Sequence, residues 1–487
     1  MPSTTVHDII VLGIDPGTLM TAGMLRRMSY RVMLAGQGGP RDSYEDEGEN
    51  VPAIFHSLPP RGFSKILDSV FDDLNLEDKV HQLGSDHDHH IQVITPQARL
   101  DLFPERQDLL SELKRAVPEQ EKAFLRGLDL LTGLNKEIEE FILQRPAIPP
   151  CNMLERLATK NLQRRFDEKI NGITSVSLLD KQPPMMRAII EASTFLSNLD
   201  LQLRAGAATA RLSMMFFKGI RLVPDLVTKM QTAIENTGVD VAQNMMLEKL
   251  LVRGRMVSGF QALRSSNDHS CQAMVTGRSL SELADLVPSE QRRTRAKLAA
   301  AATRASRSLF TLNLIIPKDA IPLGMANQLL LVREPNSELT EENLIRVLVL
   351  PYLERQDRVQ VNLSCLVPYK KHSLGREYLA PLQIKLLQAI QWLIPFMEKF
   401  DLRNSSPFWS ARASDPGHPS PWSIHNTIEL LDKPILGIAS QSLKTPLKNL
   451  LLCGPTVFPA LGLEGLAMAA NRVVETIEKN YKLKKVL

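Results

Sequence analysis

Near the N-terminus, Asp8-Ile-Ile-Val-Leu-Gly13-Ile-Asp15-Pro16-Gly17-Thr18-Leu-Met-Thr-Ala22 leads into a second apolar run, Val32 to Ala35, that ends at Gly36. A run of strand length breaks at Gly13, apolar residues then recur at helical spacing (Leu19, Ala22, Leu25, Met28), and a second strand follows. That order is a βαβ dinucleotide-binding unit. In its usual fingerprint, Gly-x-Gly-x-x-Gly, the first glycine makes the turn, the second admits a pyrophosphate against the backbone, and the third lets the helix pack on the strand. Only Gly13 is in register here: Asp15 takes the second place, Thr18 the third, and Gly17 falls one residue off. Gly36 stands where a carboxylate would bind a ribose hydroxyl.

At 487 residues the chain exceeds what one core usually organises, so two domains or an interleaved pair are expected. A hydrophobic content of 44% with 23% charged residues is that of a soluble globular protein, and a net charge of +4 argues against a nucleic-acid partner. Cys151, Cys271, Cys365 and Cys453 are too widely spaced for a metal knuckle or a disulfide framework, which fits a reducing, cytoplasmic setting. No signal peptide and no bilayer-length apolar run is readable, and peripheral contact with a membrane is left open.

Along the chain, Gln37 to Asn50 reads as a loop, glycine-rich and then acidic. A helix from about Gly62 to Leu74 and strands at Ile91–Ile94 and Ala98–Phe103 follow. Arg106 to about Leu143 is helical, with a break and a new start at Pro118. Ala147 to Arg221 reads as further helices carrying Met153, Met185, Met186, Met214 and Met215, either as core or as the lining of a greasy cavity. An amphipathic helix over Leu222 to Asn236 precedes a strand at Gly238, a hairpin (Leu247 to Val252 and Arg255 to Leu263) and a strand at Cys271–Val275. The basic run Arg292, Arg293, Arg295, Lys297, Arg304 and Arg307 spreads around a helix and reads as a solvated face. Strands at Phe310–Ile316, Gln328–Val332, Leu344–Leu350 and Val359–Leu366 lead to a long helix from about Ala380 to Phe400 and a loop from Asn404 to Trp422. His81, Asp86, His87, Asp88, His89 and His90 are ligand types without identifiable further ligands, and no metal site is assigned.

The C-terminal stretch Thr445-Pro446-Leu-Lys-Asn-Leu-Leu-Leu-Cys-Gly454, then Pro459-Ala-Leu-Gly462-Leu463-Glu464-Gly465 and an alanine-rich helix, resembles the closing flavin motif of phytoene (carotenoid) desaturase-like flavoproteins, within the amine-oxidase type of FAD enzymes. The order of elements before it is similar too. The resemblance implies an α/β fold in which an FAD/NAD(P)-binding Rossmann-like domain is interleaved with an α+β substrate domain. The nucleotide-binding parts would be residues 1–103, 222–300 and 430–487, and the substrate parts 104–221 and 301–429.

The same resemblance implies a cofactor site. Gly13, Asp15, Pro16, Gly17 and Thr18 would meet the FAD pyrophosphate, Gly36 the ribose and Leu247 the adenine; Gly454, Gly462, Leu463 and Glu464 would border the flavin ring, at a helix N-terminus suited to an anionic group. Several residues depart from the pattern. Asp15 would set a carboxylate against the pyrophosphate, a repulsion of roughly a few kcal/mol at an effective dielectric near 20. Thr18 would push helix from strand, Gly36 lacks a carboxylate, Arg41 is a remnant of a flavin-side arginine, and Glu464 replaces a neutral residue. The expectation is a degenerate, non-catalytic relative, with FAD absent or weakly bound, that takes a hydrophobic small molecule or a protein partner. Guanine-nucleotide dissociation inhibitors use the wider fold in that way. The alternative is an active FAD-dependent desaturase or isomerase of an apolar substrate. No catalytic residue is assigned.

Overall fold

The structure is a computed structural model that describes residues 5–36, 42–76, 91–170, 172–242, 245, 247–263, 268–300, 303–352, 355–372, 375–399, 403–409, 425–440 and 442–480. The strand β1 (Ile9–Leu12) is followed by the helix α1 (Pro16–Arg27) and the strand β2 (Val32–Ala35), so the N-terminal βαβ unit is present. The helix α2 (Leu226–Glu235) leads to β3 (Asp240–Ala242), and β4 (Ala273–Thr276), β5 (Leu450–Leu452) and α3 (Gly462–Asn480) complete the layer. The sheet order is β3-β2-β1-β4-β5, every pair parallel. Every residue of β1, β2, β4 and β5 is buried, because helices cover one face and a four-stranded sheet (in order Thr5–Val6, Asp268–Ser270, Met256–Ala262, Leu247–Arg253) covers the other.

A second, larger sheet runs in the order Arg403–Ser405, Arg304–Pro317, Arg358–Pro368, Leu344–Pro351, Gln328–Val332, Ile91–Ile94 and Arg99–Leu102, with Asn426–Glu429 also pairing with Arg304–Pro317. One face is apolar: Leu312, Leu314, Val347, Val361 and Leu363 pack beneath the helix Arg376–Leu393. The alternate residues face the nucleotide-type layer, and several of them are polar. The helix Pro184–Ala192 packs on the large sheet and forms a helical layer with Glu121–Leu143 and Gly206–Lys218. In its last helix every residue from Gly206 to Phe217 is buried.

Some local expectations are corrected. Within Gln37–Asn50 the acidic residues form a hairpin, Ser43–Asp46 with Glu49–Pro52, because Arg403 neutralises it: Arg403 Nη2 lies 2.8 Å from Asp46 Oδ2, and Arg403 also pairs with Glu49. Leu222 belongs to a short strand, Arg221–Val223, paired with His56–Leu58; Pro224 and the left-handed Asp225 (φ 52°) delay the helix to Leu226. Arg304 and Arg307 leave the basic helix, which ends at Ala300, and begin the strand Arg304–Pro317. The long helix runs from Arg376 to Leu393, accommodating Pro381 in its interior. Met185, Met186, Met214 and Met215 are core residues, whereas Met153 is 78% exposed. Arg41, His81 and Asp86 to His90 lie outside the described residues.

No helix among the described residues is long and apolar enough to cross a membrane.

Candidate functional site

An α-helix begins with amide groups that have no partner in the helix, which is why its N-terminus attracts anions. At α1 every one of these amides is accounted for from within. Pro16 has none. Gly17 N and Thr18 N donate to Asp15 Oδ1 at 3.0 and 3.2 Å, and Leu19 N donates to Asp15 O at 3.0 Å. Thr18 Oγ1 shares its proton between Asp15 O at 2.8 Å and Asp15 Oδ2 at 3.0 Å. Asp15 is therefore the helix N-cap, with extended backbone (φ −75°, ψ 159°), and its carboxylate lies where the fold would place a phosphate. Burial raises its pKa, opposed by the hydrogen bonds from Thr18 and Gly17.

Thr18 does not push helix from strand, as the sequence suggested, because the missing glycine is supplied across the sheet. Gly277, just after β4, lies so close that a Cβ there would overlap Asp15 Oδ2 and crowd Thr18 Cγ2. Gly454, after β5, packs in turn against Gly277. Gly13 keeps its turn conformation (φ 123°). Gly36 is buried, and its amide donates to Ala242 O at 3.1 Å. Leu247 starts the antiparallel hairpin opposite Ala262, its side chain buried in the core on the far face of the parallel sheet. The structure thus brings Gly13, Asp15, Pro16, Gly17 and Thr18 together at one helix end.

Gly462, Leu463 and Glu464 stand at the N-terminus of α3. Gly462 is left-handed (φ 54°), and a Cβ there would overlap the carbonyl oxygen of Leu196. Glu464 turns inward to Arg211 of the helix Gly206–Lys218: Arg211 Nε and Nη2 donate to its two oxygens at 3.1 and 2.9 Å. Ser64 Oγ donates to Glu464 Oε1 at 2.7 Å, and Arg211 continues to Asn135 Oδ1 at 3.0 Å and stacks 4.0 Å above the Phe63 ring. Beside this network Leu463, Phe63, Leu212 and Met215 enclose a cavity of about 20 Å³. That is room for about one water, against the several hundred Å³ of a typical cofactor pocket.

The FAD that the resemblance implies is therefore not accommodated by these side chains as they stand. A pyrophosphate would have to displace the Asp15 carboxylate from α1, and the residues at the start of α3 are already joined to a buried arginine.

A second polar assembly covers the inward face of the large sheet. Register places Thr311, Ser364 and Arg346 in one transverse row and Asn313 and Asn362 in the next. Asn313 Oδ1 accepts from Gln360 Nε2 and Asn362 Nδ2, both at 2.8 Å, and Asn313 Nδ2 donates to Tyr44 OH at 3.0 Å. Arg346 Nη2 donates to Ser57 Oγ at 2.8 Å. His56 adjoins Ser57, and burial holds both His56 and His425 down to a pKa of about 4. The Nε2 atoms of both rings and Thr311 Oγ1 are buried without a hydrogen-bond partner.

Arg211, Gly277, His56, Arg346 and His425 were not singled out in the sequence. Arg211 and Arg346 each carried a visible signal: one arginine inside an otherwise apolar helix or strand.

The sequence matches no family model and no curated protein. Solved structures do align with it. An oxidoreductase from Methanosarcina mazei superposes with a TM-score of 0.58 at 13% identity, over 96% of this chain and 100% of that one. Putrescine oxidase aligns with a TM-score of 0.61 at 12% identity over 98% and 100%. Cyclohexylamine oxidase from Brevibacterium oxydans gives 0.57 at 11% over 97% and 99%. At these identities the likeness is one of fold: the chain has the FAD-dependent amine-oxidase type of oxidoreductase fold.

Proposed function

We propose that this protein is a non-catalytic relative of the phytoene desaturase-like flavoproteins, in which its own carboxylates take over the anion positions of the cofactor and the polar inward face of the large sheet binds a hydrophobic small molecule. The observation that carries this reading is the Asp15 cap. Its oxygens hold the Gly17 and Thr18 amides and the Thr18 hydroxyl, so α1 keeps no free donor for a phosphate. The Glu464–Arg211 pair at the start of α3 acts in the same direction.

The test is the visible spectrum of the purified protein, followed by titration with FAD. The expected result is a colourless protein whose melting temperature is unchanged by saturating FAD, because only a ligand that binds the native state raises it. A yellow protein with stoichiometric flavin would overturn the reading and establish the alternative, an FAD-dependent oxidoreductase. In that case the cofactor would supply the hydride chemistry, and the polar face of the large sheet would orient the substrate.

A further inference from the structure

Arg346 lies in the middle of a strand whose other inward residues, Leu344 and Leu348, are apolar. Its side chain is 7% exposed, and burial lowers its pKa to about 10, so it is charged at neutral pH. Among the described residues no carboxylate pairs with it, and Ser57 Oγ is the acceptor it meets. A guanidinium carries five N–H donors, and a buried charge without a counter-charge is costly. Arg211 and Arg472 have carboxylate partners, Glu464 and Glu155, whereas the buried Arg204 has none and donates instead to Ser193 Oγ and Thr194 Oγ1 at 3.0 and 2.9 Å.

The surroundings of Arg346 point the same way. His425 lies within electrostatic reach of Arg346, and His56 within reach of His425. Each ring keeps a buried Nε2 without a partner, as does Thr311 Oγ1, whose residue is 2% exposed. Leu309, Leu330, Leu348 and Leu366 flank this row on the same sheet face and belong to the main core.

We propose that this sheet face is a binding site for an apolar carboxylate, its head group taken by Arg346 with His56 and Thr311 beside it and its hydrocarbon body laid along the flanking leucines. A guanidinium fork matches a carboxylate bidentately. Because burial keeps both imidazoles neutral near pH 7, the site carries one formal positive charge, which suits a monoanion better than a phosphate dianion. The inference rests on the reading of this sheet face as a small-molecule site.

The probes are straight-chain carboxylates from butanoate to dodecanoate, with decanol as the uncharged control, followed by calorimetry and thermal melting of the whole chain. Decanoate is expected to bind and raise the melting temperature, and decanol to bind at least tenfold more weakly. Arg346→Met is expected to lose at least tenfold in decanoate affinity while melting, without ligand, no lower than the wild type, because it removes an unpaired buried charge. Arg346→Lys keeps the charge without the fork and serves if the methionine variant does not fold; its decanoate affinity should fall between the two. Equal binding of decanoate and decanol, no binding of any carboxylate, or an unchanged affinity in either variant overturns the proposal. A flavin-free protein that ignores every carboxylate sinks this inference alone. Stoichiometric FAD sinks the functional reading whatever decanoate does.

Discussion

The carboxylate of Glu464 and the guanidinium of Arg211 meet in a two-pronged ion pair, 3.1 and 2.9 Å, although 253 residues separate them in the chain. Arg211 is 1% exposed and Glu464 7%, so neither charge has water to fall back on. Removing one partner should therefore cost far more than removing both.

Glu464→Leu alone is expected to destabilise the protein by up to about 3–5 kcal/mol, the usual range for a broken buried pair, reduced by what Glu139, 3.8 Å from Arg211 Nη1, compensates. Glu464→Leu combined with Arg211→Met should recover most of that loss. Urea denaturation of the three variants measures the coupling. Additive losses would mean that the two side chains do not act as a pair.

Asp15 supplies a cap that an asparagine can also supply. Burial raises the Asp15 pKa, so the native state holds this proton more tightly than the unfolded chain, and stability falls as pH rises from the ordinary carboxylate value of 3.8 through the raised folded value. Asp15→Asn keeps the cap and removes that loss: at pH 8 it should be at least as stable as the wild type. Asp15→Ala should fall below Asp15→Asn by about 1 kcal/mol. Equal stability of the alanine and asparagine variants would count against capping.

Gly277 and Asp15 share one small space. Gly277→Ala should cost about 1–3 kcal/mol through overpacking against Asp15 Oδ2. In an Asp15→Gly background the added methyl meets less resistance, so the same substitution should cost measurably less there. A full, additive cost in both backgrounds would place the clash elsewhere.

His56 and His425 make the protein sensitive to acid. Their folded pKa values are about 4, below the ordinary imidazole value of 6.5, so between those limits the unfolded chain binds more protons. Stability is present above pH 6.5 and is lost as pH falls toward 4, by on the order of 3 kcal/mol for each ring. A His56→Gln, His425→Gln variant should show a flatter dependence of the urea midpoint on pH over that window. The same slope as in the wild type would assign the acid sensitivity to other groups.

How much of this was readable beforehand differs from place to place. The order β1, α1, β2 was legible because the period of the apolar residues switches from strand to helix and back within Ile9 to Ala35. The sequence Asp15-Pro16 was also a helix start in plain view, an N-cap residue followed by proline at the first helical position. It went unread as one because the dinucleotide fingerprint made Asp15 an intruder in a phosphate site. Gly277 was hidden for another reason: it relieves crowding at Thr18 from a strand more than two hundred residues away, and no local pattern reports such a contact. The same holds for Arg346, whose partner Ser57 comes from the distant strand His56–Leu58. A single arginine in Leu344-Ile-Arg-Val-Leu-Val does at least announce that the sheet face it points to is not purely apolar.

The Asp15 cap also sets the terms of any competition for that helix end. A carboxylate attached to the residue that begins the helix acts as an intramolecular ligand, and its effective concentration does not depend on what the cell contains. A dissolved nucleotide must outbid a group that can swing aside by one side-chain rotation but can never diffuse away. Raising the concentration of free cofactor within its ordinary range would thus shift this equilibrium little, whereas one substitution at residue 15 changes it outright.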